Sequence, residues 1–180
     1  MRPWPVILLF GLAGCGFAPL YAPPQDGTPR GGARDVADVL ATIAITPGET
    51  RLAQVLRNRL VAALTPRGYP AEPRYRLEFT LAEQVEGFAF RPDRAVTRER
   101  IEIRAHYVLL DATSETRILE GDSTAWSSYD VVQSDFANIS AQRDARRRAA
   151  DVLADRIAAR LARYFRASGG EVKSLGQGQS

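Results

Sequence analysis

Three successive stretches of the chain alternate apolar and polar side chains. The first opens at Arg74, with Tyr75, Leu77, Phe79 and Leu81 on one side and Arg76, Glu78 and Thr80 on the other. In the second, Ile101, Ile103, Ala105, Tyr107 and Leu109 alternate with Glu102, Arg104 and His106. The third, RILEGDSTAWSSYDVV from Arg117, has a weaker period, and Gly121, Ser123, Ala125 and Ser127 are small enough to let a helix sit close. Successive side chains of a strand point to opposite faces, so each run predicts a strand with one covered face and one polar face. The segment DATSET, Asp111 to Thr116, predicts the turn between the second and third.

Other stretches carry a different period. Leu52, Val55, Leu56, Leu60, Ala63 and Leu64 fall on one face of a helix that runs to about Leu64 and is ended by Pro66 and Gly68. The preceding Thr46-Pro47-Gly48-Glu49 reads as its capping box. Val39 to Ile45, VLATIAI, is apolar on both alternating sets and predicts a well-buried strand. From about Ala137 to Ala167 there is no proline or glycine. Ile139, Ala145, Ala149, Val152, Leu153, Ile157, Leu161, Tyr164 and Phe165 form a stripe, flanked by a face rich in arginine. The order is β-α-β-β-β-α. Its economical packing is an α+β two-layer sandwich, with two helices on one face of a four-stranded sheet. The other sheet face is left polar, open to solvent or to a partner.

The first residues add an address. Arg2 precedes an apolar run, Val6 to Leu12, and the small residues Ala13 and Gly14 lead to Cys15, the single cysteine. This is the layout of a secretory signal peptide, too short to span a bilayer. Leu12-Ala13-Gly14-Cys15 also resembles the bacterial lipobox. Cleavage before Cys15 is expected, with a diacylglycerol on its thiol and an acyl chain on the new amine. Gly16, where an aspartate commonly retains lipoproteins at the inner membrane, directs the expectation to the outer membrane. The organisation expected is a signal peptide over 1–14, a lipidated N-terminus and flexible tether over 15–35, one α+β domain over 36–167, and a disordered tail over 168–180. The tether is marked by APPQDGTPRGGAR and the tail by Gly, Ser and Gln.

Charge and chemistry narrow the function. The formal charge is +3, and the basicity is almost all arginine, Lys173 being the sole lysine. An exported chain without a nucleic-acid motif has no nucleic-acid partner to expect. Catalytic signals are missing. His106 is the only histidine, Cys15 carries lipid, and no GxSxG, HExxH or P-loop occurs. The expectation is no enzyme, no metal, and no cofactor beyond the lipid on Cys15. An envelope hydrolase built on carboxylates is the opposing possibility, but the sequence pairs no two of them.

The residues that follow the lipobox say more. Cys15-Gly16-Phe17-Ala18-Pro19-Leu20-Tyr21 resembles the CGFxPLY start of the LPS-assembly lipoprotein family, LptE. The helix RLAQVLRNRL, three long strands and a last helix entered through ANISAQRDA agree in order. The resemblance implies an outer-membrane lipoprotein, anchored on the periplasmic side. It implies a plug inside the LptD β-barrel that assists barrel assembly and helps deliver lipopolysaccharide, which it binds. Against that background the connection GFAFRPDRAVTR is the expected lipopolysaccharide contact. Arg91, Arg94 and Arg98 suit phosphates, and Phe88 and Phe90 suit acyl chains; the bland reading is a solvated hairpin loop. The arginine face of the last helix is a second candidate, and Trp126 and Tyr129 belong either to the barrel contact or to the core. The competing function is an auxiliary lipoprotein of another envelope lipid-transport system.

Overall fold

The computed structural model describes residues 31–66, 68–90 and 96–168. Within them the chain runs α1 (Gly31–Leu40), β1 (Ile43–Ile45), α2 (Arg51–Leu64), β2 (Tyr75–Phe90), β3 (Val96–Asp111), β4 (Arg117–Asp130) and α3 (Asp135–Ala167). The strands form one sheet in the order β1-β2-β3-β4, with β1 parallel to β2 and the remaining pairs antiparallel. Helices cover one face, as the amphipathic stripes require. The α+β expectation therefore stands, with β-α-β-β-β-α intact behind an additional helix. Cys15 and residues 169–180 lie outside the described residues, as do 15–30 of the expected tether, whose last residues, 31–35, belong to α1.

Two local expectations need correction. Val39–Ile45 is not one strand. Val39 and Leu40 close α1, and only Ile43–Ile45 pairs with β2. The Thr42 hydroxyl and amide both donate to the Val39 carbonyl, which ends the helix there. The cap of α2 is Thr50, not Thr46. Thr50 Oγ1 accepts from the Ala53 amide at 3.1 Å. The Thr46 amide is already committed to the Leu77 carbonyl, at 3.0 Å, so Thr46 prolongs the strand path instead of opening the helix.

The core lies between sheet and helices. Ile101, Ile103, Ala105, Tyr107 and Leu109 of β3 are all buried, as their alternation predicts. Leu56, Leu60 and Leu64 of α2 meet them from above, with Ala145, Ala149, Leu153, Ile157, Leu161 and Phe165 of α3. Phe165 packs its ring against Tyr75 at 5.2 Å and Tyr164 at 5.5 Å. The alanines of α3 let that helix approach the sheet, and the small residues of β4 complete the fit. A side-chain carbon on Gly121 would stand 2.9 Å from the Tyr107 hydroxyl and 3.0 Å from Arg160 Cζ. From Ala82 to Phe88 the residues of β2 are exposed, Glu83 keeping one contact to α3 through Arg146.

Candidate functional site

The uncovered sheet face is built from the even-numbered residues of β2 and β3 and, beyond the register shift at the start of β4, from those of β4 from Glu120 onward. No described element packs on it. Most of its charges are paired along and across the strands. Arg76 contacts Glu78 at 2.8 Å and grips both oxygens of Glu115. His106 lies 3.1 Å from Asp122 and 3.4 Å from Glu120. Arg104 meets Glu102, and Arg117 meets Glu120. Exposed pairs of this kind contribute little stability, but they leave a hydrated surface of mixed charge.

One end of the face differs. Arg100 of β3 holds its guanidinium 5.2 Å from the Phe88 ring and 5.7 Å from the Trp126 ring. Phe88 is 43% exposed and Trp126 is 64% exposed. Two aromatic rings that bracket a cation offer both an apolar contact area and a charge beside the β2–β3 connection. Trp126 and Tyr129 stand three apart in β4, so they take opposite faces. Trp126 joins the open face. Tyr129, 8% exposed, turns to the helix side, where its hydroxyl donates to Glu99 and accepts from Gln142 Nε2 at 3.3 Å. Burial and the Glu99 carboxylate both hold the Tyr129 phenol above its ordinary range.

Of the residues the sequence singles out, Phe88 is part of this cluster. Arg98 stands beside it and is paired with Asp130 at 2.7 Å. Phe90 ends β2, and its side chain, like Arg91 and Arg94, lies outside the described residues. Arg100 is the residue that sequence reasoning missed. Its signal is register: Arg100 sits opposite Glu86 and Ser128, one step from Phe88 and Trp126. Only knowledge of the strand pairing brings those two aromatics to it.

The arginine face of α3 has a different use. Arg148 donates to Ser127 Oγ at 3.1 Å and to the Ser128 carbonyl at 3.0 Å. Arg156 donates to the Thr124 carbonyl, and Arg160 to the Glu120 carbonyl at 3.4 Å. These carbonyls point outward from β4, the edge strand, at every fourth residue. The helix thus closes a sheet edge that would otherwise be free to pair. Among the described residues no cluster of three metal-ligating side chains occurs, and no helix is long and apolar enough to cross a membrane.

Comparisons with known proteins agree on the fold. The sequence profile of the family described as LptE, lipopolysaccharide-assembly, matches residues 40–161. A lipoprotein of known structure from Caulobacter crescentus is 24% identical, with a TM-score of 0.63 over 73% of this chain and 96% of that one. Rare lipoprotein B from Shewanella oneidensis is 13% identical, with a TM-score of 0.52 over 67% and 92% of the two chains. A minor lipoprotein from Acinetobacter baumannii is 18% identical, with a TM-score of 0.50 over 67% and 88%. No curated protein matches the sequence.

Proposed function

The chain belongs to the lipopolysaccharide-assembly family LptE, and from that premise we propose that it plugs the LptD β-barrel of the outer membrane and helps deliver lipopolysaccharide through it. The family is one of non-catalytic envelope lipoproteins, which agrees with a sequence that offers no catalytic constellation. The lipid on Cys15 holds the protein to the outer membrane from the periplasmic side. The domain enters the barrel, assists its assembly and keeps its lumen closed around the transported lipid.

The observation that carries this reading is the uncovered sheet face. Its charges are mixed and mostly paired, which suits a surface turned to the polar wall of a water-filled barrel. At its end, Phe88, Arg100 and Trp126 join apolar area to positive charge, the combination that a phosphorylated lipid requires. The sequence of the β2–β3 connection adds Phe90, Arg91 and Arg94 as further candidates for the same ligand, with Arg98 at the start of β3.

The test is a binding measurement on the full chain. Changing Arg91, Arg94 and Arg98 together to Ala should weaken lipopolysaccharide binding about tenfold, the loss of roughly one to two charge-assisted contacts. The circular dichroism should stay that of the native fold. Arg100→Ala with Trp126→Ala should act in the same direction. Unchanged affinity in both well-folded variants would remove this end of the sheet from the lipid site.

A further inference from the structure

A four-stranded open sheet has edges, and this one treats them unequally. The outer edge of β4 is closed by Arg148, Arg156 and Arg160, as described. The free side of β1 is closed at its end by Tyr69, whose hydroxyl accepts from the Ile45 amide at 3.2 Å and donates to the Ile45 carbonyl at 3.4 Å. Arg57 adds a donor to the same carbonyl at 3.2 Å and lies over the Tyr69 ring at 5.7 Å. Side chains thus answer three carbonyls of β4 and both backbone groups of Ile45 in β1.

The long strand β2 is the exception. β1 pairs with it only from Tyr75 to Leu77. The Leu77 carbonyl accepts from Thr46, so the odd-numbered residues of β2 aim their backbone groups away from β3. Beyond Leu77, the amides and carbonyls of Phe79, Leu81, Glu83, Val85 and Gly87 therefore face outward. No partner for them occurs among the described residues. A run of unpaired strand backbone is a ready template for another strand.

The surface beside that edge is shaped and charged. A groove of about 650 Å³ lies between the start of α2, the first half of α3 and Glu83 of β2. Leu52 and Val55 of α2 give it an apolar floor, and Glu83 of β2 borders it. Arg51, Arg143, Arg146 and Arg147 line it with Asp144. Arg146 is paired with Glu83 at 2.7 Å, and Arg147 with Asp144. Among the described residues Arg51 and Arg143 have no carboxylate partner. Four arginines against two carboxylates leave the groove positive.

We propose that the edge of β2 from Phe79 to Gly87 is a strand-addition site for an extended acidic segment of a partner protein. The partner's backbone continues the sheet in the place that β1 leaves vacant. Every second side chain of the added strand drops toward the groove, where apolar residues meet Leu52 and Val55 and carboxylates meet Arg51 and Arg143. Backbone bonds give such a complex its affinity, and the alternating side chains give it selectivity. The inference stands apart from the barrel reading, because the open edge and its groove exist whatever supplies the strand.

Amide hydrogen exchange on the full chain in mild detergent tests it. The probe is a short synthetic peptide alternating Val and Glu, added at millimolar concentration, with a Val–Lys peptide as its control. The Val–Glu peptide should slow the amides of Phe79, Leu81, Glu83 and Val85 and leave those of Asp122 and Thr124 unchanged. Val85→Pro removes one outward donor without touching the β2–β3 ladder, which an edge strand tolerates, and should abolish the slowing. Arg51→Glu with Arg143→Glu should weaken the peptide about fivefold, the effect of two exposed charge contacts. Unslowed amides in a natively folded chain would overturn the proposal, as would an equal response to the Val–Lys peptide. Slowing that rises with protein concentration alone would overturn it too, by making a second copy of the chain the occupant.

Discussion

The arginine seam between α3 and β4 decides between two uses of the same charges. If Arg148, Arg156 and Arg160 cap the edge, replacing all three with Ala must cost stability. Each removes a guanidinium bond to an outward backbone carbonyl or its neighbour. The carbonyls stay accessible to water, so no orphaned buried acceptor is left and the low end of the range applies, about 0.5–1 kcal/mol per bond. Three bonds sum to roughly 1.5–3 kcal/mol. Freed side-chain entropy and the better helix propensity of Ala trim this to about 1–2 kcal/mol. For a domain of this size that is a fall in Tm of about 4–8 °C. Urea denaturation should show the same loss as a lower midpoint with an unchanged slope. Arg147→Ala, whose partner Asp144 is on the same helix, should stay within about 0.5 kcal/mol of the native protein. A triple variant as stable as the native chain would refute the edge cap. Stability kept while lipopolysaccharide binding is lost would make the helix face a ligand surface instead.

Three shorter predictions follow from other parts of the molecule. Cys15→Ser should abolish acylation, and palmitate labelling that survives the change would sink the lipid-anchor reading. Gly121→Ala should cost about 1–3 kcal/mol through its collision with the Tyr107 hydroxyl, and Tyr107→Phe in the same chain should recover part of the loss; equal costs in both backgrounds would contradict the packing described. Asp111 accepts from the Thr113 and Ser114 amides at 2.9 and 2.8 Å, and the Ser114 bond, with that from Thr113, holds its carboxyl below the ordinary carboxylate range. That stabilisation is present above the ordinary range and is lost as pH falls through the lowered folded value. The stability gap between the native chain and Asp111→Ala should therefore be open at neutral pH and close in acid, and a gap independent of pH would exclude this role.

Strand periodicity carried most of the architecture. Ile101 to Leu109 alternate so cleanly that their burial is legible before any pairing is known. Trp126 and Tyr129 are different: both are large aromatics in a run of weak period, and only the fixed parity of β4 sends one outward and the other inward. Val39–Ile45 misleads because both alternating sets are apolar, which a buried helix end and a short strand satisfy equally. Thr46 misleads because a Thr-Pro-Gly-Glu sequence fits a capping box, whereas the demand of the Leu77 carbonyl for a donor is tertiary and leaves no local mark. Arg100 is silent in the sequence for the same reason, since its aromatic neighbours arrive from two other strands.

The capping of β4 by α3 belongs to the same class. An arginine-rich helix face reads as solvated or ligand-binding until the strand beneath it is known to be an edge. Once it is, the spacing makes sense. Eight helical residues from Arg148 to Arg156 rise about 12 Å, close to the roughly 13 Å between the Ser128 and Thr124 carbonyls along the strand.

The most direct test of the barrel-plug function is a gentle-detergent isolation of the tagged chain from its own membranes, with copurifying proteins identified and quantified by mass spectrometry. A large outer-membrane β-barrel recovered in equimolar amount is the expected result. Recovery of inner-membrane transporter subunits in its place would contradict the function proposed and favour an auxiliary role in another lipid-transport system.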